Sequence, residues 1–356
     1  MAEKVLMKGN EAIGEAAIQA GCRYFFGYPI TPQNEIPAYM AKKLPKVGGC
    51  FLQAESEIAA INMVYGAAGA GARVMTSSSS PGISLKQEGI SYIAGAELPC
   101  MVVNIVRGGP GLGGIQPAQS DYFQATRGGG HGDYRMVVLA PSTIQEMVDL
   151  VMDGFDIADM YRNPVLLLGD GMLGQMMEPV EFKERKPRQL PEKTWAATGW
   201  KGDRPRSIIN SLFIDPAELE KHNLKLQAKY DAIEKNEVRY EAYNTEGAKV
   251  IIVSYGTTSR IAKNVIDNAA REGIKIGLIR PITLWPFPKE IFAKVVNQET
   301  VKAVLSVEMS MGQMVDDVRL AVNGQKPVYF YGRTGGMVPH PNDILSQVKM
   351  ILGGQV

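Results

Sequence analysis

Short apolar runs alternate with helical stretches along most of the chain, and this alternation constrains its fold more than any other feature. Up to about residue 182, runs such as RYFFGY, CMVVNIVR and PVLLLGD are separated by stretches with helical patterning, such as ESEIAAINMVYGAAGAG. Strands that are apolar throughout and linked by helices are typical of a parallel sheet covered on both faces. We therefore predict a parallel α/β domain over residues 1–182.

The same alternation resumes near residue 248, where KVIIVSYG, KIGLIRPI and PVYFYG predict strands. Residues 248–356 are therefore expected to form a second, smaller α/β domain. Residues 183–247 differ from both, because they begin with a stretch rich in proline and charge and end with DPAELEKHNLKLQAKYDAIEKNEVRYEAY, which has helical periodicity. We expect this part to be a linker that contains a long helix.

Composition and charge exclude several classes of function. The formal net charge is +1 over 356 residues, so the chain has no basic field that would attract nucleic acid. No apolar run approaches the roughly 18 residues that a membrane span needs, and the charged N-terminal stretch lacks the apolar centre of a signal peptide. We expect a cytoplasmic protein that binds neither nucleic acid nor membrane.

The cysteines and histidines do not predict a metal site in this chain. Cys22, Cys50 and Cys100 are too few and too widely spaced to hold an iron–sulfur cluster. The three histidines are scattered without metal-ligand spacing.

Four unusual loops follow predicted strands, at the sheet edge where α/β proteins bind ligands. They read GYPITPQNE, TSSSSPGIS, RGGPGLGGIQPAQSD and GDGMLGQ. The third contains G-x-G-x-x-G, but the glycines and Pro117 that follow are poor helix formers, so a dinucleotide site is not favoured. The fourth opens like a thiamine-diphosphate motif with Asp170 but lacks the later Asn-Asn pair, which favours a plain turn.

The helix that contains YGAAGAGA has two distinctive features. Its small face of alanine and glycine predicts that another segment packs very close to its backbone. Glu55 and Glu57 precede it, and acids in a first helical turn complement the helix dipole, which is a sufficient explanation for Glu55.

Several motifs taken together resemble the α subunit of the 2-oxoacid:ferredoxin oxidoreductases. These are YPITP, the SE that precedes YGAAGAGA, SSSSPGISLKQEGISY, the arginine that ends CMVVNIVR, RPITLWPFP and GRTGGMVPHP. The resemblance covers nearly the whole chain and is strongest to the branched-chain (2-oxoisovalerate) enzymes, with the 2-oxoglutarate enzymes next. It implies an oxidoreductase that converts a 2-oxoacid and coenzyme A to an acyl-CoA and carbon dioxide while ferredoxin is reduced.

The resemblance also implies a division of labour between subunits. Residues 1–182 would be the pyrimidine-binding half of a thiamine-diphosphate site, and residues 248–356 a transketolase-C-terminal-like domain. Thiamine diphosphate would be shared with a diphosphate-binding β subunit. Magnesium and [4Fe–4S] clusters would belong to partner subunits, which include γ and ferredoxin-like δ chains.

Five residues take site roles from the resemblance. Glu57 would contact the aminopyrimidine ring as the catalytic acid–base group, and Pro29 and Ile30 would contact the cofactor. Thr31 and Arg107 would bind the substrate carboxylate or carbonyl near the reacting carbon and take part in catalysis.

Structural alternatives remain open for two of these residues. Thr31 could merely start a turn, and Arg107 could form an interface ion pair. For the whole chain, the alternatives are a complete transketolase-type enzyme and a catalytically silent scaffold subunit.

Overall fold

The computed structural model describes residues 4–186 and 188–354. Strands and helices alternate along the chain as follows: β1 (Val5–Lys8), α1 (Gly9–Gln19), β2 (Tyr24–Gly27), α2 (Glu35–Lys43), β3 (Cys50–Gln53), α3 (Glu57–Gly69), β4 (Val74–Ser78), α4 (Pro81–Gly95), β5 (Cys100–Val106), α5 (Tyr122–Arg127), β6 (Val137–Leu139), α6 (Ile144–Tyr161), β7 (Pro164–Asp170), α7 (Gly171–Gln175), β8 (Met177–Val180), α8 (Pro216–Asn236), β9 (Tyr240–Tyr243), β10 (Val250–Val253), α9 (Gly256–Arg271), β11 (Ile276–Pro281), β12 (Thr283–Trp285), α10 (Lys289–Val296), β13 (Ala303–Glu308), α11 (Met314–Val322), β14 (Val328–Gly332) and α12 (Pro341–Leu352).

The larger sheet has seven strands in the order β12-β6-β7-β5-β4-β2-β3. Six of them are mutually parallel, and β12 pairs antiparallel with β6 at one edge. The central strands β4, β5 and β7 are buried at every position, as expected for a sheet covered on both faces. The predicted fold class is therefore confirmed.

One edge of this sheet was not anticipated from the sequence. Strand β12 lies in the RPITLWPFP stretch of the second half, yet it joins the first sheet through the pairs Thr283–Leu139 and Trp285–Val138. Leu284 is fully buried, and the Trp285 ring contacts Tyr230 of α8 edge to face. Burial of these apolar side chains favours the pairing of β12 with the larger sheet.

The smaller sheet has five strands in the order β14-β13-β10-β11-β9. The first four are parallel, and β9 pairs antiparallel with β11 at the edge. Helices α9 and α12 pack together and bury apolar faces against this sheet. The limits of the predicted linker, residues 183–247, stay a prediction, because β9 lies within the linker and pairs with the second sheet.

Buried hydrogen bonds join the two sheets near the carboxyl ends of β5 and β7. The Thr257 hydroxyl at the start of α9 donates to the Asp170 carboxylate at 2.6 Å. Gln119 donates from Nε2 to the Tyr255 carbonyl oxygen at 2.8 Å and from its backbone N–H to the Met309 carbonyl oxygen at 2.8 Å. The second half of the chain therefore holds the segment that follows β5 in place.

Helix α3 is only partly covered within the chain. Close packing occurs against α4, where a Cβ atom at Gly89 would lie 2.5 Å from Ile61. Gly66, in contrast, faces open space. The expectation that a segment packs close to the small face of α3 therefore stays a prediction at Gly66, where this chain supplies no such contact.

No helix among the described residues is both long enough and apolar enough to cross a bilayer.

Candidate active site

The five predicted site residues follow three strands at one edge of the larger sheet. Strands β3, β2, β4 and β5 are parallel neighbours, so their carboxyl ends meet at the same edge. Pro29, Ile30 and Thr31 follow β2, and Glu57 follows β3. Arg107 comes directly after β5.

Arg107 and Thr31 are in direct contact, although not through the atoms that the sequence suggested. The Arg107 side chain is buried and donates from Nη1 to the Thr31 carbonyl oxygen at 3.0 Å. Its Nη2 donates to the Leu112 carbonyl oxygen at 2.9 Å, whereas its buried Nε has no partner within the described chain. Arg107 therefore fixes the position of two loops and keeps one donor available.

Thr31 itself is exposed, and its hydroxyl is nearly free. Within the described chain its one side-chain hydrogen bond is a long one of 3.4 Å from Asn34 Nδ2. The turn beneath it is held more firmly, because Asn10 and Gln175 donate to the Pro32 carbonyl oxygen at 2.8 and 3.0 Å. The hydroxyl is thus presented on a fixed backbone and remains available for a ligand.

The glycine-rich loop after β5 folds back on itself instead of leading into a helix. The Gly108 N–H donates to the Gln116 carbonyl oxygen at 3.0 Å, and Arg107 pairs with Pro117 as an isolated bridge. The next helix begins only at Tyr122. The strand–loop–helix geometry of a dinucleotide site is therefore not formed, and the loop exposes Leu112 at its tip.

Glu57 is the first residue of α3 and is 7% exposed. The helix is capped by the Ser56 hydroxyl, which accepts from the Ala59 N–H at 3.2 Å, so Glu57 is not needed as the cap. Neither carboxylate oxygen of Glu57 accepts a hydrogen bond from any residue in the described ranges. The carboxylate of this largely buried residue therefore remains available to a ligand.

The loop after β4 places further unpaired polar groups in the same region. The buried hydroxyls of Ser78 and Ser79 have no hydrogen-bond partner within the described chain. A Cβ atom on Gly82 would lie 2.0 Å from the Ser78 Oγ and 2.6 Å from the Glu57 Oε1. Gly82 is therefore required there, because any larger residue would displace the Glu57 carboxyl group.

An open cavity of about 670 Å³ lies beside Thr31. Its wall is contributed by both halves of the chain and is largely apolar, with Ile115, Met172 and Val338 beside the exposed threonine. Glu35 is the ionisable side chain on this wall. Burial raises the pKa of Glu35, but hydrogen bonds from Asn10 and others lower it further, so the net shift is downward.

Asp170, in the Gly-Asp-Gly loop, has a structural role here. Its Oδ1 caps α7 by accepting from the N–H groups of Met172 and Leu173, and its Oδ2 accepts from Thr257. Burial raises the pKa of Asp170, although these hydrogen bonds oppose the shift. Both carboxylate oxygens of Asp170 therefore accept hydrogen bonds within the chain, in keeping with the plain turn that the sequence predicts.

The sequence patterns do not single out Lys86 as a residue of the site. It lies on α4, one turn after Gly82, and is fully buried. Its Nζ donates to the Thr76 hydroxyl at 2.7 Å and to the Ser77 carbonyl oxygen at 3.1 Å. Its sequence context gives one signal, because Gly82, Lys86 and Gly89 share a helical face with the spacing of a packed surface.

Within residues 4–186 and 188–354, no group of three or more His, Cys, Asp and Glu side chains is arranged to hold a metal ion.

Comparisons with known proteins identify the type of domain. Residues 15–243 match the family model described as pyruvate flavodoxin/ferredoxin oxidoreductase, thiamine diphosphate-binding, and residues 248–344 match core domain II of pyruvate:ferredoxin oxidoreductase. The fold is also similar to a split-gene transketolase, with a TM-score of 0.61 at 15% identity over 98% of this chain and 99% of that one. The fold is thus transketolase-like, and residues 15–243 belong to a thiamine-diphosphate-binding domain family.

More similar relatives define the family. The ketoisovalerate oxidoreductase subunit VorB of Methanothermobacter marburgensis is 52% identical over 98% of both chains. The 2-oxoglutarate synthase subunit KorA of Archaeoglobus fulgidus is 39% identical over 93% of this chain and 95% of that one. The chain belongs to the pyruvate flavodoxin/ferredoxin oxidoreductase family, whose members are oxidoreductases that act on 2-oxoacids. The predicted family and enzyme class are confirmed.

A solved structure supports the same assignment. The 2-oxoglutarate:ferredoxin oxidoreductase from Magnetococcus marinus, with 2-oxoglutarate, coenzyme A and succinyl-CoA bound, superposes with a TM-score of 0.87 at 29% identity. The match covers 99% of this chain but 66% of that chain, so this chain corresponds to about two thirds of its length.

Proposed function

We propose that this chain is the α-type, pyrimidine-binding subunit of a 2-oxoisovalerate:ferredoxin oxidoreductase. The complex oxidatively decarboxylates a branched-chain 2-oxoacid with coenzyme A to an acyl-CoA and carbon dioxide, and it passes electrons to ferredoxin. The observation that carries this proposal is the difference in sequence identity between two groups of relatives. Two ketoisovalerate oxidoreductase subunits are 52% and 50% identical over 98% of the chain, whereas the 2-oxoglutarate synthase subunits reach 35–39%.

The residues at the sheet edge fit the pyrimidine half of thiamine diphosphate. Glu57 is a largely buried residue whose carboxylate accepts no hydrogen bond within the described chain, and the buried hydroxyls of Ser78 and Ser79 have no partner there. We assign Glu57, Pro29 and Ile30 to the cofactor. When bound, thiamine diphosphate supplies the carbanion that attacks the ketone and the electron sink that allows carbon dioxide to leave.

Glu57 is the acid–base group of this half-site. A carboxyl group at this position would hold a proton at one of its oxygens and could exchange it with a ring nitrogen of the bound cofactor. The fixed first turn of α3 and the absence of a side chain at Gly82 hold that oxygen in one place. Pre-set geometry of this kind lowers the entropic cost of the proton transfer.

Thr31 and Arg107 bind the 2-oxoacid. Thr31 offers an exposed hydroxyl beside the cavity, and Arg107 offers its unpaired Nε–H. The hydrogen bond from Arg107 to the Thr31 carbonyl oxygen fixes the two groups relative to each other. Together they can hold a carboxylate or a ketone oxygen by charge-assisted hydrogen bonds.

The other parts of the reaction require partner subunits. Three cysteines in the whole sequence cannot ligate a [4Fe–4S] cluster, which takes four. The carboxylate of Asp170 is already engaged in a buried turn, so we assign magnesium and the diphosphate to a β subunit. We assign the clusters to partner subunits, with γ and ferredoxin-like δ chains completing the complex.

The cavity favours a branched aliphatic substrate. Its wall has apolar side chains from Ile115, Met172 and Val338 and one carboxylate, Glu35. The second carboxylate of 2-oxoglutarate would lack a cation on this wall. The Magnetococcus structure, which binds 2-oxoglutarate, supports the 2-oxoglutarate enzymes as the second candidate.

The test is a substrate comparison with the assembled complex. The chain is co-expressed anaerobically with its partner subunits, and reduction of ferredoxin or viologen is measured with 2-oxoisovalerate, pyruvate and 2-oxoglutarate in the presence of coenzyme A. We expect the highest kcat/KM with 2-oxoisovalerate. A highest value with 2-oxoglutarate would select the second candidate, and no turnover of any 2-oxoacid would refute both.

A further inference from the structure

Lys86 is a fully buried lysine close to the candidate site. Its ammonium group has three N–H donors, and the described residues accept from it twice, through the Thr76 hydroxyl and the Ser77 carbonyl oxygen. Lysine is almost never buried unless its charge is compensated. The neighbours on β4 are neutral, so compensation has to come from another element.

Lys86 lies on the face of helix α4 that packs against α3. Gly82, Lys86 and Gly89 have the spacing i, i+4 and i+7, which places them on one helix face. The two glycines on this face contact α3: Cβ atoms there would lie 2.6 Å from the Glu57 Oε1 and 2.5 Å from the Ile61 side chain. Lys86 lies between these two contacts, on the face that carries the Glu57 carboxylate.

The charge of Glu57 acts on Lys86. Burial lowers the pKa of Lys86 to about 7, and the Glu57 carboxylate opposes this shift. The other acid nearby on α4, Glu88, is exposed and hydrogen-bonds to the Tyr92 hydroxyl instead. Glu57 is thus the acid whose charge acts on Lys86.

We propose that Lys86 is a positioning residue, whose buried ammonium group acts on the Glu57 carboxylate across the contact between α4 and α3. The catalytic meaning of the pair rests on the proposed function of Glu57, whereas the coupling of the two charges is a property of this chain alone.

The coupling is tested by NMR on the full chain labelled with [ε-13C]lysine. Lys86→Met identifies the Lys86 signal, and Lys86→Gln serves the same purpose if methionine is not accommodated. We expect this signal to titrate near pH 7 in the wild type. In Glu57→Gln the midpoint should fall by roughly 0.5–1 pH unit, because the opposing charge is lost.

Two controls make the result specific. Glu55→Gln changes an exposed acid two residues away and should leave the Lys86 midpoint unchanged. Glu97→Gln should change the titration midpoint of Lys229, which contacts Glu97. It should leave the midpoint of Lys86 unchanged. A Lys86 midpoint that does not respond to Glu57→Gln, or that responds equally to Glu55→Gln, would overturn the coupling.

The positioning role is tested separately in the assembled complex. We expect Lys86→Met to shift the pH profile of kcat by at least about half a pH unit relative to wild type. An unchanged profile would overturn the positioning role. A wild-type complex without 2-oxoacid turnover would instead refute the proposed function, and the NMR result would still decide whether the two charges are coupled.

Discussion

The guanidinium group of Arg107 donates a hydrogen bond to the backbone carbonyl oxygen of Thr31 at 3.0 Å. The same group also holds the carbonyl oxygen of Leu112 in the glycine-rich loop. One side chain thus connects the turn after β2 with the loop after β5. The two residues that we assign to the 2-oxoacid therefore depend on each other for their position, and a change in one is expected to disturb the other.

Arg107→Leu should lower kcat/KM for every 2-oxoacid by a similar factor. All these substrates share the carboxylate beside the ketone, so the loss is expected to be on the order of 2–4 kcal/mol in transition-state stabilisation. The assay is viologen reduction with 2-oxoisovalerate, pyruvate and 2-oxoglutarate. Arg135→Leu, which removes an exposed arginine on a different cavity, is the control. A loss confined to 2-oxoglutarate would mean that Arg107 binds the distal carboxylate.

Thr31→Val tests the hydroxyl apart from the shape of the turn. Valine keeps the branched side chain and removes the oxygen, and the backbone contact with Arg107 remains. We expect kcat/KM to fall by about tenfold, since one hydrogen bond to substrate contributes roughly 1–1.5 kcal/mol. Thr31→Ser should retain most of the activity. Equal activity of the two variants would assign Thr31 to the turn alone.

Glu57→Gln should nearly abolish decarboxylation while the complex still assembles. The amide has the shape of the carboxyl group but cannot exchange the same proton with the ring nitrogen. Size-exclusion chromatography checks assembly, and viologen reduction checks turnover. Glu55→Gln is the matched control and should keep near-normal activity, because Glu55 is exposed. Near-normal turnover of Glu57→Gln would leave Glu57 with a structural role only.

The isolated chain should bind thiamine diphosphate weakly or not at all. In the proposed function only the pyrimidine half of the site lies in this chain, and the carboxylate of Asp170 is engaged in capping α7. Isothermal titration calorimetry with magnesium present measures this directly, with the assembled complex as the positive control. Tight magnesium-dependent binding to the chain alone would contradict the proposed division of the site between subunits.

Much of the fold could be predicted from local patterns in the sequence. Buried parallel strands such as β5 and β7 are continuous apolar runs, and the loops that follow them contain the polar and glycine residues of the site. The crossing of β12 into the first sheet could not be predicted, because a three-residue strand has no periodicity of its own. Its position depends on contacts between residues that are distant in sequence, such as Trp285 and Tyr230.

The residues of the site stay a prediction, and their contacts could not be predicted from the sequence. Glu57, Thr31 and Arg107 were named from motifs, yet the bond from Arg107 to a backbone carbonyl oxygen cannot be read from side-chain chemistry. Lys86 was missed because a lysine on a helix is ordinarily exposed. Its burial follows from two glycines on the same face, which allow α4 to approach α3 closely.

Lys86 should make the free energy of unfolding depend on pH, and the Lys86→Met variant should lack this dependence. Burial lowers the pKa of Lys86 from 10.5 to about 7. Below about pH 7 the lysine is protonated in both the folded and the unfolded chain, so its effect on stability is constant. Between pH 7 and 10.5 the folded chain has released this proton while the unfolded chain retains it. Stability therefore rises with pH in this window, by at most about 1.4 kcal/mol per pH unit.

The measurement is denaturant unfolding of wild type and Lys86→Met at several pH values from 5 to 9. The free energy of unfolding of the wild type should increase relative to the variant as pH rises from about 7 to 9, and the difference should be flat near pH 5. Burial raises the pKa of the Cys22 and Cys100 thiols to about 12, which lowers stability above pH 9 in both proteins alike, so the comparison stops there. Parallel curves for the two proteins over the whole range would show that the Lys86 amine does not titrate near neutral pH.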